Sequence, residues 1–364
     1  MKTLTSVLLT TLTGIVSLPA LALDCREVNG AAEPVCRFTS GYATTNINGR
    51  QQLDVYYRPD NRDARVLVVV PGGAWSGGDK ADYRDLAESL TGLHDLTTVV
   101  VNYRLSDGIG RPVKHPDHVD DVAAAFSWVK RNIAGYGDPA RVYAFGQSAG
   151  AHLVSLMATD PQYLAQYACA NRSQTPCKPS DIRAVISMSG VYNLPQMVDL
   201  PNEVGLDGVQ AAALEAKYAE IVKTAFGRVP ETWRQASPLL HINPGQPPFL
   251  VLYSFDDMPG FAGQAHDFAV AVDAMLREAR PTAADPGVRL RRLERLDYTP
   301  EVWRSAFCLA AGGELTEDGD CAPGSEGLQE DFLFTGHYAE VVAINPNEPH
   351  NYPTELVVDF IARH

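Results

Sequence analysis

The chain has 364 residues, 45% of them hydrophobic and 20% charged, and its 30 basic and 44 acidic side chains give a formal charge of −14. This composition excludes collagen-like, coiled-coil and disordered chains. The acidic balance argues against a nucleic-acid binder or an anionic membrane surface as partner, and the length leaves room for a large α/β core.

The first segment reads as a targeting signal. Met1-Lys2 is a short basic start, residues 4–18 are apolar without charge, and Ala20-Leu21-Ala22 is a small-x-small cleavage pattern. Together they predict a signal peptide over residues 1–22. The stretch is too short and too Thr-rich for a membrane span, and no later segment reaches the roughly 18 apolar residues a span needs. The six cysteines fall as neighbouring couples, Cys25/Cys36, Cys169/Cys177 and Cys308/Cys321. Neighbour pairing is the simplest of the possible connectivities, although sequence alone does not fix one. None of the couples is C-x-x-C, which disfavours zinc or redox sites, and disulfides imply an oxidising compartment, secreted or periplasmic.

Residues 52–57 alternate in polarity and precede Arg58-Pro59, predicting an antiparallel edge strand. Apolar runs at 66–70, 97–101, 142–145, 184–188 and 249–253 suit strands buried on both faces. Helical patterns separate or follow them at 83–90, 117–132, 149–158, 270–278 and 354–363. Strand–helix alternation predicts an α/β fold with a mostly parallel, doubly wound sheet. Residues 192–247 interrupt it with an Ala-rich helix near 209–226 and many prolines, and read as a cap over the sheet. Residues 280–336 read as a second, irregular insertion. The organisation expected is a signal peptide followed by one catalytic domain over 23–364.

Gly146-Gln147-Ser148-Ala149-Gly150 is a G-x-S-x-G between the strand 142–145 and the helix 149–158. A sharp strand-to-helix turn strains the nucleophile's backbone and crowds its neighbours, so small residues must flank it. The helix N-terminus also favours negative charge developing at the hydroxyl. Ser148 is therefore the candidate nucleophile, a Gly-rich turn without chemistry being the plainer alternative. Pro71-Gly72-Gly73-Ala74-Trp75 follows the strand 66–70. Its glycines let backbone N–H groups approach a substrate oxygen, and a donor aimed at a tetrahedral oxyanion is worth roughly 2.7–4 kcal/mol of barrier. Ala74 and Ala149 are the candidate donors, with Gly73 in support. Asp79 separates Gly78 from Lys80, so the pattern of a phosphate loop fails.

These segments, together with Val101-Asn102-Tyr103-Arg104-Leu105, His115-Pro116-Asp117 and Ala151-His152, resemble the α/β-hydrolase superfamily. Within it they are most similar to carboxylesterases with an HGG-type oxyanion motif: the hormone-sensitive-lipase-like, feruloyl/acetyl-esterase-like and prenylcysteine-methylesterase-like enzymes. The resemblance is strong over residues 66–159 and fair over 238–257. It implies the α/β-hydrolase fold with a cap insertion, no cofactor, and a catalytic order of Ser, then Asp or Glu, then His. Pro71 departs from the family by standing where many relatives have His. That His shapes the loop and carries no proton, so the chemistry is not threatened.

The resemblance puts the acid after the strand 248–253, usually in G-x-x-D. Matching Ser254 to that Gly selects Asp257, with Asp256 as the alternate. The base must follow the acid. His364 is terminal, and His266 is too near the acid. His350 lies between an expected last strand at 338–344 and the closing helix, where relatives carry the base. His337 is the alternate: it has a familiar Gly-His context, and residues 288–296 could be the last strand instead. His152 reads as a packing or hydrogen-bonding residue, and His115 and His118 as solvated or capping residues at a helix start. No H-E-x-x-H or ligand cluster points to a metal, and Asp318-Gly319-Asp320 lacks the later positions of a calcium loop. The expected activity is hydrolysis of small-molecule carboxylic esters with short acyl or aryl-type groups. An amidase, formamidase or peptidase on the same site, or a non-catalytic binding module, are the alternatives. Tyr218, Phe226 and Trp233 in the cap could line a pocket, but helical core packing is their simpler role. Oligomeric state is not readable from the sequence.

Overall fold

The structure is a computed structural model that describes residues 24–43, 49–110, 112–170, 173–199, 208–254, 257–282, 287–293 and 352–364. The strands in chain order are β1 (Asp24–Arg26), β2 (Val35–Gly41), β3 (Gln52–Tyr57), β4 (Arg65–Val70), β5 (Leu96–Val101), β6 (Val142–Gln147), β7 (Ala168–Ala170), β8 (Ser173–Pro176), β9 (Val185–Met188), β10 (Phe249–Ser254) and β11 (Val288–Leu293). The α-helices are α1 (Arg84–Leu93), α2 (Asp117–Asn132), α3 (Ala149–Thr159), α4 (Pro161–Ala165), α5 (Leu194–Val198), α6 (Gly208–Phe226), α7 (Pro230–Gln235), α8 (Phe261–Ala279) and α9 (Tyr352–Arg363).

Nine strands form one sheet in the order β1-β2-β3-β5-β4-β6-β9-β10-β11. The first three pairings are antiparallel and the remainder parallel. The run Val66 to Val70 is buried on both faces, as the interior of a parallel sheet requires. One face is covered by α2, α3 and α8, whose Phe126, Leu153 and Phe268 share a core with Val68 and Val251. The other is covered by α1 and α9, whose Leu86 and Phe360 pack with Leu67 and Leu250. Strand β4 lies between β5 and β6, so the connections diverge on either side of it. Such a reversal opens a crevice at the carboxyl ends of the strands.

Three expectations change. Strand β3 is not an edge, because it pairs β2 on one side and β5 on the other. Its Asp54, which the alternation assigns to solvent, is 1% exposed and receives hydrogen bonds from Thr39 and from Lys80 Nζ, the latter at 2.8 Å. The stretch 280–336 is not wholly irregular, since β11 lies within it and runs parallel to β10. The helix expected at 270–278 begins earlier, at Phe261.

Two disulfides are present among the described residues. Cys25–Cys36 joins cross-strand partners of β1 and β2, and Cys169–Cys177 closes the β7–β8 hairpin. Cys308 and Cys321 lie outside the described residues, as does the segment 1–22. Among the described residues no helix is long and apolar enough to cross a membrane.

Candidate active site

Strand β6 ends at Gln147 and α3 begins at Ala149, leaving one residue for the turn. Ser148 makes it at φ 53° and ψ −120°. A left-handed backbone costs a non-glycine residue roughly 1–2 kcal/mol, and such strain persists only where the surroundings impose it. Here the Ser148 N–H donates to Met188 O at 2.8 Å, tying the turn to the end of β9. The flanking glycines are required by close packing. A Cβ on Gly146 would stand 2.3 Å from Gly150 O, and one on Gly150 would stand 2.0 Å from Val70 O. The serine itself is partly exposed while Gln147 and Ala149 are buried, so the turn offers a single hydroxyl at the head of α3.

The loop after β4 lies against this turn. A Cβ on Gly72 would be 3.2 Å from Ser148 Cβ and 3.0 Å from Gln147 O, so only glycine allows the approach. Two buried tyrosines pin the loop's first residues. The Gly72 N–H donates to Tyr83 Oη at 3.2 Å, and Tyr103 Oη donates to Pro71 O at 3.2 Å. Burial pushes the Tyr83 phenol up to about 12, which keeps it neutral. The next three residues, Gly73, Ala74 and Trp75, all have positive φ, at 112°, 51° and 59°. The turn closes with Ser76 and Gly77 N–H groups donating to Gly73 O at 3.0 and 2.8 Å. The N–H groups of Gly73, Ala74 and Ala149 donate to no acceptor among the described residues. Two of these are on a strained loop and one on the first turn of a helix, where unpaired donors attract negative charge.

Trp75 is 1% exposed, and its indole N–H donates to His152 Nδ1 at 3.2 Å. His152 Nε2 in turn donates to Ala236 O at 2.7 Å. Burial pushes this imidazole down to about 3, so it is neutral and its proton sits on Nε2. Phe226, the last residue of α6, packs edge-on against both rings, with centroids 4.9 Å from Trp75 and 5.5 Å from His152. The end of α6 therefore rests on the loop and on α3 together. Tyr218 Oη in α6 also donates to Pro259 O at 3.3 Å, beyond β10. Tyr218 and Phe226 are buried core residues, whereas Trp233 is only partly buried.

His115 and His118 are not the solvated or capping residues expected at the start of α2. His118 is fully buried and its Nε2 lies 2.9 Å from Ser106 Oγ, which donates onward to Val113 O at 2.7 Å. His115 Nε2 lies 3.2 Å from Tyr163 Oη, and its backbone N–H donates to Ala225 O at the end of α6. Burial drives His118 to about 3 and His115 to about 4. The end of α6, which covers them, is distant in sequence, and no local pattern signals it.

A polar network supports the crevice from the β5 side. Asn102 Oδ1 accepts from Lys80 N at 2.6 Å, and Asn102 Nδ2 donates to Asp79 Oδ2, which also receives Arg50 Nη1 at 2.6 Å. Arg104 pairs with Asp121 at 2.8 Å and Asp117 at 2.7 Å. Burial works against its charge, but the two carboxylates outweigh this and raise its pKa. The run Asn102-Tyr103-Arg104 gives no role to any one of these residues by its spacing, and Arg50 and Asp79 lie outside it.

Asp257 follows β10. Its Oδ2 accepts from Ser189 Oγ and from Ser254 N at 3.4 Å, and its Oδ1 accepts from Met258 N at 2.8 Å. Ser189, at φ 49°, directly follows the Met188 whose carbonyl holds Ser148. The carboxylate is thus reached from Ser148 through two neighbouring residues of one strand end. Asp256, His337 and His350 lie outside the described residues. Strand β11 pairs with the far side of β10, and the last strand expected at 338–344 lies outside the described residues. The last residue of the chain, beyond α9, accepts a hydrogen bond at His364 O from Arg183, just before β9, at 3.2 Å. Helix α9 packs its Val357, Phe360 and Ile361 along the sheet. It spans about 18 Å for its 12 residues. His266 sits on α8 with its side chain 65% exposed.

The BD-FAE family model matches residues 53–269, which hold the loop after β4, the Ser148 turn and Asp257. The chain is 32% identical over 223 residues to the probable carboxylic ester hydrolase LipM of Mycobacterium tuberculosis, covering 59% of this chain and 47% of that one. It is 30% identical over 234 residues to the probable isoprenylcysteine alpha-carbonyl methylesterase ICMEL1 of Arabidopsis thaliana, covering 64% and 46%. It thus spans about half the length of these curated relatives. Among solved structures, Thermogutta terrifontis esterase 2 phosphonylated by sarin aligns over 74% of this chain and 86% of its own, with a TM-score of 0.52 and 22% identity. That likeness, the sheet order and the turn after β6 show an α/β-hydrolase fold, and by the family match the chain belongs to the BD-FAE family.

Proposed function

We propose that this chain is a serine hydrolase that cleaves carboxylic esters of small molecules through an acyl-enzyme. The observation that carries the reading is the strained Ser148 turn lying against a strained loop whose Gly73 and Ala74 N–H groups have no acceptor among the described residues. Relatives named as carboxylic ester hydrolase and methylesterase support the ester as the bond cleaved.

In this mechanism Ser148 Oγ attacks the ester carbonyl carbon while a histidine takes its proton. The carbonyl oxygen becomes an oxyanion that accepts from the Ala74 and Ala149 N–H groups, with Gly73 in support. Collapse of the tetrahedral species breaks the carbon–oxygen bond, and the imidazolium gives its proton to the departing alcohol. The histidine then takes a proton from water, which attacks the acyl carbon and frees the acid and Ser148. Asp257 holds the imidazole's tautomer and stabilises its charged form. His350 is the base in this reading: it stands two residues before α9, in the connection that follows β11, after Asp257 in the family's order. His337, on the same connection between β11 and α9, is the alternate, and Asp256 is the alternate acid.

The same reading makes residues 1–22 a cleaved leader and 23–364 one catalytic domain, with residues 192–247 as a cap and 280–336 as a further insertion. It places the protein in a secreted or periplasmic setting, to which the two disulfides suit it. A fluorophosphonate label tests for an activated serine. A panel of p-nitrophenyl acyl esters against formanilides and anilides separates esterase from amidase or formamidase. Labelling at Ser148 with turnover of short acyl or aryl esters is the expected outcome. An unlabelled protein would leave only a binding module on this fold.

A further inference from the structure

The Trp75–His152 pair touches three parts of the site at once. Trp75 ends the strained run Gly73–Ala74–Trp75. His152 stands one turn into α3, and its N–H donates to the carbonyl of Ser148 at 3.0 Å. The imidazole joins them edge to face, with ring centroids 5.1 Å apart and the indole N–H on Nδ1 at 3.2 Å. Its other nitrogen is held by Ala236 O at 2.7 Å, from the segment that closes the cap. A phenyl ring would pack as well in this place. What packing alone does not need is a ring with an acceptor toward the loop and a donor toward the cap, which is the neutral Nε2–H tautomer. Two successive left-handed non-glycine residues relax unless something over-determines them, and the indole is the side chain of the second.

We propose that His152 is a positioning residue: its imidazole fixes the Trp75 indole and thereby holds the Gly73–Trp75 turn so that the Gly73 and Ala74 N–H groups face the Ser148 hydroxyl. Ala236 O sets the tautomer that can do this, so the seat of the cap and the alignment of the oxyanion donors are linked through one ring. The inference rests on the reading of Ser148 as nucleophile. His152 itself touches no reacting atom.

The test compares H152A, W75F and H152N, the last because Asn Oδ1 falls where Nδ1 stood and can still accept from the indole. On p-nitrophenyl acetate, H152A and W75F are expected to lower kcat by about 10- to 100-fold, the scale of a misplaced catalytic group. KM should stay within about twofold, and H152N should stay within about threefold of the wild-type kcat. The double variant W75F/H152A should be no worse than the poorer single one, because both break the same bond. If H152N falls as far as H152A, or the two single losses multiply in the double variant, the positioning role is overturned. If the wild type neither turns over esters nor labels at Ser148, it is the functional reading that fails. The positioning claim is then decided in the free protein with 15N-Ala and 15N-Gly labelling. The Ala74 and Gly73 amide signals should move in H152A and stay in H152N, and signals unmoved in H152A would overturn it.

Discussion

The two ends of the central strands are built differently. At the carboxyl ends of β4, β6 and β9 the chain turns through Ala74, Trp75, Ser148 and Ser189, all at positive φ and none of them glycine. At the amino ends the only other described non-glycine residue with positive φ is Asp95, before β5, and a short polar side chain tolerates that conformation. The amino end of β4 is fastened by ordinary means. Val66 N donates to Arg141 O and Asp138 N to Ala64 O, both at 2.9 Å, while Arg141 pairs with Asp138 at 2.6 Å on a partly exposed surface. Strain is concentrated at the end where unpaired N–H groups and a hydroxyl are brought together. Among the described residues, the other end is held by backbone hydrogen bonds and an ion pair, with Asp95 its one strained non-glycine residue. That contrast teaches where function sits in this fold: backbone free energy is spent at the edge that must hold a shape no relaxed chain would take.

The largest effects should come from the acid and base that serve the strained edge. H350A is expected to lower kcat by about 10⁴-fold or more, and D257N by about 10⁴-fold, whereas H337A and D256N should stay within a few fold. Steady-state kinetics on a p-nitrophenyl ester reads all four, and a reversal of either pair reassigns that role. Next comes G72A. Its methyl would meet Gln147 Oε1 at 2.3 Å and Gln147 O at 3.0 Å, so the loop must retreat from Ser148. A loss of about 10²- to 10³-fold in kcat, the cost of an oxyanion donor, is expected. A G72A protein of wild-type activity would show that the close approach is not needed.

The pH dependence of stability is a smaller and more general effect. His115, His118 and His152 are held neutral by burial, at about 4, 3 and 3, while in the unfolded chain they titrate near 6.5. Between these values the unfolded chain binds more protons than the native one, so stability is full above about pH 6.5 and falls as the pH drops toward 4. Burial raises the Asp120 carboxyl to about 6, which offsets one of the three protons, so urea melts across this range should show a slope of about two protons, on the order of 2–3 kcal/mol per pH unit, and H118Q should remove about one proton from it. A flat profile would mean that α6 does not seal these rings. At the opposite end of the strands, R141A should cost no more than about 1 kcal/mol and leave kcat unchanged. A large kinetic effect there would break the contrast between the two ends.

Much of the strained edge was legible because its signals are local. Glycines at 72, 73, 146 and 150 and an apolar run before each turn mark the loop and the Ser148 turn within a few residues. The parallel strands were legible for the same reason, being apolar on both faces. What failed depended on distant partners. Asp54 made β3 look like an edge because its Lys80 and Thr39 partners are not visible in the pattern. His115 and His118 looked solvated because Phe226, over 100 residues away, covers them. The proposed base is the least legible residue of the site. Both candidates, His337 and His350, fall in a connection of more than 50 residues between β11 and α9, in which neither periodicity nor a turn motif separates them.

The most direct test of the account is fluorophosphonate labelling followed by peptide mass mapping, on the wild type and on S148A. The account predicts one adduct, on the peptide carrying Ser148, absent from S148A, with ester turnover lost in that variant and its melting temperature close to that of the wild type. An S148A protein that still labels or still turns over ester would contradict it.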